Sequence, residues 1–300
     1  MSGETRTSLA FIGSGAMAEA MIQGILRCGV ASADAIWASG PRPERARQLS
    51  EKYGIHGTTS NREAARSADV VVLSVKPQRL RMALGELRGA ARPDQLVMSI
   101  VAGARISVIA EALGAPSVMR VMPNTPAQIG EGISVWFATP EVTPTQREVG
   151  RKILAALGEE IEVDEEKFLD MATAVSGTGP TYVFLIMEAL VDAAVHLGFS
   201  RRIAEALVTK TVLGSVLFAR QSDLHLAQMR NMVTSPGGTS AEAIYQLDKG
   251  SIRTVLSKAV WAAYQKSSLL GDSLAQVSAA DLRPNGSPPS DKMEPEGRES

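Results

Sequence analysis

Short apolar runs alternate with helical patterns along the first half of the chain. A continuous run such as residues 69–75 (DVVVLSV) is typical of a strand that is buried on both faces of a parallel sheet. Repeated units of strand and helix predict an α/β fold in which helices cover both faces of a doubly wound, mostly parallel sheet. We predict strands at residues 9–12, 35–38, 55–58, 69–75, 96–101, 117–122, 133–138 and 160–163. Helices between them are predicted at residues 19–27, 61–66, 77–87 and 145–157.

From Glu165 onwards the strand pattern stops and only helical patterns remain. Residues 181–197 are apolar on nearly every side, apart from a narrow stripe formed by Glu188, Asp192 and His196. A helix this apolar must be buried on most sides, and we expect a partner subunit to supply part of the cover. Further helices are predicted at residues 201–220, 224–232, 241–247 and 252–266.

A glycine-rich turn, Gly13-Ser14-Gly15-Ala16-Met17-Ala18, joins the first strand to the first helix. In such a turn Gly13 makes the tight bend and Gly15 lets a pyrophosphate approach the backbone, while the small Ala18 lets the helix pack on the strand. Because the flanking strand and helix are those that the motif requires, we predict a dinucleotide-binding site of the Rossmann type.

The residues after the second strand favour NADPH over NADH, although NADH is possible. Ser39 and Gly40 follow this strand at the place where NAD-preferring folds carry a carboxylate that binds the ribose. Ser39 can donate a hydrogen bond to a 2′-phosphate, and Arg42 supplies positive charge. In the alternative interpretation, Arg42 and Arg45 are solvated residues at the start of a helix.

Two further turns follow buried strands. Lys76 and Pro77 come after the strand at 69–75, and Ala102-Gly103 comes after the strand at 96–101. Because ligands bind at the carboxyl ends of parallel strands, we expect both turns to face the cofactor.

A second glycine-rich segment, Ser235-Pro236-Gly237-Gly238-Thr239-Ser240, precedes a helical pattern. Pro236 disfavours helix at Ser235, and the glycines expose backbone N–H groups at the positive end of the next helix. This arrangement predicts a site for a small anion. The alternative is an ordinary loop in which a serine or threonine only caps the helix.

Composition narrows the possible functions and indicates a cytoplasmic protein. The formal net charge of −1 gives no field that would attract nucleic acid or an anionic membrane. Charges interrupt every run of about 18 apolar residues, so we expect no membrane span. Cys28 is the only cysteine, which fits a reducing compartment. The histidines at 56, 196 and 225 are scattered, and we expect no metal site.

Five motifs occur in an order that resembles the pyrroline-5-carboxylate reductase family. They lie at residues 11–18, 75–78, 122–126, 176–184 and 233–240. The likeness covers about residues 8–270. It implies a Rossmann domain followed by an all-α domain that interlocks into a dimer, with higher assembly such as a decamer. It also implies NAD(P)H-dependent reduction of 1-pyrroline-5-carboxylate to L-proline, the last step of proline biosynthesis.

The corresponding division of the chain has four parts. We predict an N-terminal extension at residues 1–7, an NADP-binding Rossmann domain at 8–164 and a helical substrate and dimerisation domain at 165–272. Residues 273–300 are predicted to be a disordered tail because they combine prolines and charges with few large apolar groups.

The resemblance assigns site residues position by position. The pyrophosphate would be held by Gly13, Ser14, Gly15, Ala16, Met17 and Ala18. The adenosine end would be held by Ser39, Arg42 and Asn61. The nicotinamide half would be lined by Val75, Lys76, Pro77, Ala102 and Gly103. The substrate would lie on Ser235, Pro236, Gly237, Gly238 and Thr239, with Glu166 where the family has an acidic residue near its active site.

Ser240 is the predicted catalytic residue. We expect the substrate carboxylate to lie on the N–H groups of Gly237 and Gly238 and on Ser235, while the Ser240 hydroxyl binds the imine nitrogen. Ser240 stands where the family usually has threonine, which keeps the hydroxyl and removes a methyl group. Other departures, which remove no group that the chemistry needs, are Thr178, Leu226 and Asn231.

Three other functions remain open at this point. A β-hydroxyacid dehydrogenase would place a catalytic lysine early in the helix after 176–180, and residues 176–187 contain none. A reductase of a related cyclic imine is possible, because one methylene changes discrimination by only about 1–3 kcal/mol. A silent NADP-binding regulatory protein is the third.

Overall fold

The computed structural model of the protein describes residues 7–275. The expectations for residues 1–6 and 276–300, which make up almost all of the predicted extension and tail, lie outside the described residues.

Eight strands form one twisted sheet in the order β3-β2-β1-β4-β5-β6-β7-β8. All neighbouring strands are parallel except β6 and β7, which are antiparallel. The prediction of a mostly parallel sheet is therefore confirmed. The strands are β1 Leu9–Ile12, β2 Ile36–Ser39, β3 His56–Thr58, β4 Val70–Leu73, β5 Leu96–Ser99, β6 Val118–Met122, β7 Gly132–Ala138 and β8 Gly158–Glu162.

Six helices cover the two faces of this sheet. They are α1 Ala16–Arg27, α2 Pro43–Tyr53, α3 Asn61–Arg66, α4 Pro77–Leu87, α5 Ile106–Leu113 and α6 Pro144–Ala155. Alternate residues of β1 point to opposite faces, so that Phe11 packs with α1, α2 and α6 whereas Ile12 packs with α3, α4 and α5. Both side chains are fully buried. The sheet therefore lies between two apolar cores and presents its carboxyl edge to any ligand.

The remaining six helices form a domain without strands, as predicted. They are α7 Phe168–Ala172, α8 Gly179–His196, α9 Arg201–Arg220, α10 Leu226–Met232, α11 Thr239–Lys249 and α12 Ile252–Ala275. A π-helical turn, Thr173–Gly177, joins α7 to α8. Side-chain hydroxyls donate to backbone carbonyls there. The Ser176 hydroxyl donates to the Ala172 carbonyl, and the Thr178 hydroxyl donates to the Thr173 carbonyl.

The end of α12 corrects a prediction. The sequence suggests that the helix ends at Lys266 and that the tail begins at residue 273, whereas α12 continues to Ala275. Its last turns are stabilised by the sheet domain: Gly271 packs closely on Gly103, and Leu274 contacts the apolar core. The apolar periodicity of these last turns is weak in the sequence, because the close contact with the sheet domain is made by Gly271, which has no side chain.

Candidate active site

The glycine-rich turn after β1 is held by the strands on both sides. Gly13 has φ +108°, a conformation that favours glycine, and a Cβ atom there would lie 2.8 Å from the carbonyl carbon of Ser74. The Gly13 N–H donates to the Ser39 carbonyl at 3.0 Å, and the Ser74 hydroxyl donates to the Gly13 carbonyl at 2.7 Å. The turn is thus fixed at the carboxyl edge of the sheet, where open α/β sheets bind ligands.

Gly15 and Ala18 have different roles in this turn. A Cβ atom at Gly15 would meet no protein atom within 4 Å, so its small size leaves room for a bound molecule. Ala18 is fully buried in the core beneath α1. Among residues 7–275, the N–H groups of Ala16, Met17 and Ala18 have no acceptor. Unpaired amides at a helix start are the feature that binds a pyrophosphate.

A charged cluster that the sequence did not reveal supports the turn from α2. Arg45 Nε donates to the Ser14 carbonyl at 3.0 Å, and its guanidinium also pairs with Glu19. Glu19 Oε1 further accepts from Lys52 Nζ at 2.9 Å and from the Tyr53 hydroxyl at 3.0 Å. Mainly through Arg45, these donors lower the pKa of Glu19 to about 2, against the opposing effect of burial. Arg45 is therefore not the solvated residue of the alternative interpretation.

Ser39 and Asn61 lie together at the end of β2. The fully buried Ser39 hydroxyl donates to Asn61 Oδ1 at 2.6 Å, and Asn61 Nδ2 donates to Glu86 Oε2 at 2.6 Å. In this conformation the Ser39 proton is used inside the protein. A direct hydrogen bond from Ser39 to a 2′-phosphate stays a prediction, whereas its effect on the orientation of Asn61 is visible.

Two exposed cations lie at the same edge. Arg42 directly precedes α2 and Lys76 directly precedes α4, and each of these helices begins with a proline. Within the described part of the chain, neither side chain has a hydrogen-bond or ion-pair partner. Both are therefore available to an anionic ligand, in contrast to Arg45.

The turn after β5 has a packing role in addition to the one predicted. Gly103 has φ +74°, and a Cβ atom there would lie 3.0 Å from Leu270 Cβ. The close approach of α12 accounts for the glycine, so its presence cannot be assigned to the cofactor alone. The expectation that Ala102 and Gly103 line the nicotinamide half stays a prediction.

Glu166 belongs to a partly buried ionic network that was not predicted from the sequence. Arg120, whose side chain is 4% exposed, donates to Glu166 Oε1 and to Asp170 Oδ1, each at 2.9 Å. Glu166 Oε1 also accepts the N–H of Ile106, the first residue of α5, at 2.9 Å. These bonds give Glu166 a structural task, and its role in binding substrate stays a prediction. The signal for this network in the sequence was Arg120, a charged residue inside the apolar run of β6.

The segment 233–238 connects α10 to α11 through a turn. Gly237 has φ +71° and the Gly238 N–H donates to the Ser235 carbonyl at 3.0 Å, the arrangement of a type II turn with proline at its second position. In this conformation the Gly238 amide is used inside the turn, and its contact with the substrate carboxylate stays a prediction. Among residues 7–275, the N–H groups of Gly237, Thr239 and Ser240 have no acceptor.

Within one chain, this segment is not bonded to the domain that contains the glycine-rich turn. No hydrogen bond or ion pair of the described residues joins residues 233–249 to residues 7–164. A depression of about 710 Å³ is at the opposite edge of the sheet, beside Leu9, Val70 and Leu96, and none of the predicted site residues lines it. In the part of the chain that the structure covers, no three potential metal ligands are grouped.

Comparison with known proteins identifies the family. Residues 166–270 match the model for pyrroline-5-carboxylate reductase dimerisation, and residues 8–103 match the model for NADP oxidoreductase, coenzyme F420-dependent. A pyrroline-5-carboxylate reductase of Pseudomonas aeruginosa is 40% identical over 269 residues, which cover 89% of this chain and 98% of that protein. The chain belongs to the pyrroline-5-carboxylate reductase family.

Two further comparisons support the family and the fold. The pyrroline-5-carboxylate reductase of Synechocystis is 38% identical over 88% of this chain and 98% of that protein. The crystal structure of the Plasmodium falciparum pyrroline carboxylate reductase with NADP bound is 33% identical, with a TM-score of 0.82 over 90% of this chain and 100% of that one. The resemblance drawn from the five motifs and the predicted fold class are both confirmed.

Family membership accounts for the exposed apolar surface of the helical domain. Phe184 and Leu185 of α8 are 62% and 65% exposed in the single chain. Residues 166–270 match the dimerisation model of the family, so this apolar surface lies in the region through which the family forms homo-oligomers.

The same region contains a long apolar helix. In the part of the chain that the structure describes, the continuous helix Phe168–His196 is the one that could cross a membrane by length and composition, with a mean hydropathy of 1.3. Only 6% of its most apolar stretch is buried within the single chain. Because this helix lies in the dimerisation region, a protein subunit is an alternative to lipid as the cover of its exposed face. The absence of a membrane span stays a prediction.

Proposed function

We propose that the protein reduces 1-pyrroline-5-carboxylate to L-proline with NADPH as hydride donor, as the last step of proline biosynthesis. The observation that carries the proposal is the start of α11, where the unpaired amides of Gly237, Thr239 and Ser240 lie among three hydroxyl side chains. A helix start of this kind suits a small substrate with one carboxylate. Family membership supports the same reaction.

The residues of the first turn suit a dinucleotide. The open space at Gly15 and the unpaired amides of Ala16, Met17 and Ala18 fit a pyrophosphate, while Arg42 would attract a 2′-phosphate. NADPH would supply a hydride from its nicotinamide ring. The lack of a carboxylate at the end of β2 favours NADPH, and NADH is a possible second donor.

The α11 loop would bind and orient the imine. The substrate carboxylate would accept from the N–H groups of Gly237 and Thr239 and from the Ser235 hydroxyl. The Ser240 hydroxyl would hydrogen-bond the ring nitrogen, which makes the adjacent carbon more electrophilic. Because the cofactor carries the hydride, positioning and electrostatics supply most of the rate. The proton comes from solvent or from an iminium that is already protonated.

We further propose that a second subunit completes the site. The loop at 233–240 makes no hydrogen bond to the sheet domain of its own chain, and the same helical region is the dimerisation region. A homodimer, or a larger assembly such as a decamer, would bring the loop of one subunit to the cleft of its partner. We expect this assembly to act in the cytoplasm on a small molecule, with no metal, nucleic acid or membrane required.

A direct assay tests the reaction. When purified protein is mixed with pyrroline-5-carboxylate and NADPH near neutral pH, the absorbance of the reduced nicotinamide should fall. With L-proline and NADP+ at high pH, the same absorbance should rise. Silence with both the NAD and the NADP couples would overturn the proposal, and NADPH binding without turnover would favour the regulatory alternative. A larger kcat/KM for the six-membered homologue would assign the protein to a related imine.

A further inference from the structure

We propose that the last part of α12, residues 267–275, is a positioning element for the turn at residues 100–105, and that Gly271 and Asp272 act on hydride transfer through that turn. The inference rests on the proposed function, because it concerns the nicotinamide half of the NADPH site. It assigns a role to the segment after Lys266, where the sequence predicts neither a helix nor a site residue.

The first support is a close approach of two backbones. Gly103 and Gly271 are both buried, and a Cβ atom on Gly271 would lie 3.1 Å from the Gly103 carbonyl oxygen and 3.4 Å from Arg105 Nε. A Cβ atom on Gly103 would in turn lie 3.0 Å from Leu270 Cβ. A glycine inside a helix is less stable there than alanine would be. Here it lets α12 lie directly against the turn.

The second support is a set of polar bonds on either side of this contact. Asp272 pairs with Arg105, the residue that precedes α5. The hydroxyl of Ser267, which is 2% exposed, donates to Asp170 Oδ1 at 3.0 Å, and Asp170 is held by Arg120.

The same network reaches the far end of the turn. Arg120 also holds Glu166, which accepts the N–H of Ile106 at 2.9 Å. The turn at 100–105 is therefore held near its middle by α12 and at its end by Glu166.

The position of this turn links the contact to catalysis. Ser99, the last residue of β5, pairs with Leu73, and the next residue, Ser74, holds the Gly13 turn. The turn at 100–105 therefore begins beside the end of β4, and β4 is the strand next to β1 and its glycine-rich turn at the carboxyl edge of the sheet. The predicted adenosine contacts lie on the other side, at the end of β2. A small shift of this turn would move the nicotinamide half and leave the adenosine half in place, and misplacement by about 1 Å can cost up to about 100-fold in rate.

Substitutions in the full-length chain test the inference. Gly271→Val should lower kcat by about 10-fold or more, while the dissociation constant for 2′,5′-ADP, which probes the adenosine half alone, changes less than about 2-fold. Gly271→Ala should give a smaller loss in the same direction. Ser273→Ala is the matched control, because Ser273 is exposed and its hydroxyl bonds only to the Leu269 carbonyl of the same helix.

A charge exchange keeps the test independent of steric damage at Gly271. Asp272→Arg and Arg105→Asp should each lower kcat several-fold, and the double variant should recover most of the loss, since it restores the pair. Unchanged kcat in Gly271→Val, equal losses of kcat and 2′,5′-ADP affinity, or a double variant no better than the single ones would overturn the inference. If the wild-type protein binds NADPH without reducing the imine, the proposed function fails. In that case the inference is still tested by comparing each variant's affinity for NADPH with its affinity for 2′,5′-ADP.

Discussion

Gly13 and Ser74 approach so closely that a Cβ atom on Gly13 would lie 2.8 Å from both the carbonyl carbon and the carbonyl oxygen of Ser74. This contact, together with φ +108°, means that the protein's own structure requires glycine at position 13. Gly15 differs, because a Cβ atom there would meet nothing within 4 Å. The two glycines of one motif therefore serve different purposes, one for folding and one for the ligand.

The first prediction separates these purposes. Gly13→Ala should destabilise the ligand-free protein by about 1–3 kcal/mol, because alanine is strained at positive φ and collides with β4. Gly15→Ala should leave the melting temperature of the ligand-free protein nearly unchanged and should weaken NADPH binding at least 10-fold. Thermal unfolding without cofactor and titration with NADPH measure the two effects.

The same pair provides its own check. A large fall in the melting temperature for Gly15→Ala would show that its small size serves packing. Unchanged NADPH affinity in that variant would remove Gly15 from the pyrophosphate site.

The centre of the sheet was predictable because β1, β4 and β5 are buried along their whole length and read as continuous apolar runs. Each strand end lies within two residues of its predicted position, as for β4, which is predicted at 69–75 and found at Val70–Leu73. The bounds of helix α2 were not predicted, since Ala46 and Leu49 are its only buried side chains and give weak periodicity. The glycine-rich turn was predictable because its spacing follows from phosphate geometry.

Contacts between residues far apart in sequence were not predictable. Arg120 meets Glu166 and Asp170 only because β6 and α7 are neighbours in space, and Arg45 reaches Ser14 only because α2 packs beside α1. The same holds for the Gly238 amide, whose partner depends on the turn type. Local pattern thus identifies candidate residues, whereas the partners of their polar atoms come from the fold.

The second prediction concerns Ser240. Ser240→Ala should lower kcat by roughly 10- to 1000-fold, the scale of losing one positioned transition-state hydrogen bond, and NADPH affinity should stay similar. Ser240→Thr, which keeps the hydroxyl, should be tolerated. Steady-state kinetics with pyrroline-5-carboxylate and direct NADPH titration measure both. Wild-type turnover in Ser240→Ala would exclude this hydroxyl from the mechanism.

The third prediction concerns cofactor choice. Arg42→Ala should raise the KM for NADPH more than the KM for NADH, because Arg42 is exposed and has no partner among residues 7–275. Arg47→Ala, on the exposed side of the same helix, is the control. Kinetics with both cofactors give the ratio. Equal changes for the two cofactors would mean that Arg42 does not bind the 2′-phosphate.

The fourth prediction concerns the acid stability that Glu19 provides. Its pKa is about 2 in the folded chain, mainly because of Arg45, whereas the ordinary value is 4.5. A carboxylate with a lowered pKa stabilises the folded state above pH 4.5, and this contribution is lost as the pH falls towards 2. Glu19 and Arg45 are about one-fifth exposed, so we expect a contribution of about 1–3 kcal/mol at neutral pH.

Urea unfolding at a fixed protein concentration and a series of pH values measures this contribution. Glu19→Gln should be less stable than the wild-type protein at pH 7, and the difference should shrink between pH 4.5 and pH 2 as the wild-type carboxylate takes up its proton. Glu111→Gln is the matched control, because Glu111 is exposed on α5 and has no ion-pair partner in the described residues. A stability difference for Glu19→Gln that stays constant over this range would show that the stabilisation comes from neutral packing or hydrogen bonding, and that Arg45 positions the turn without help from the charge of Glu19.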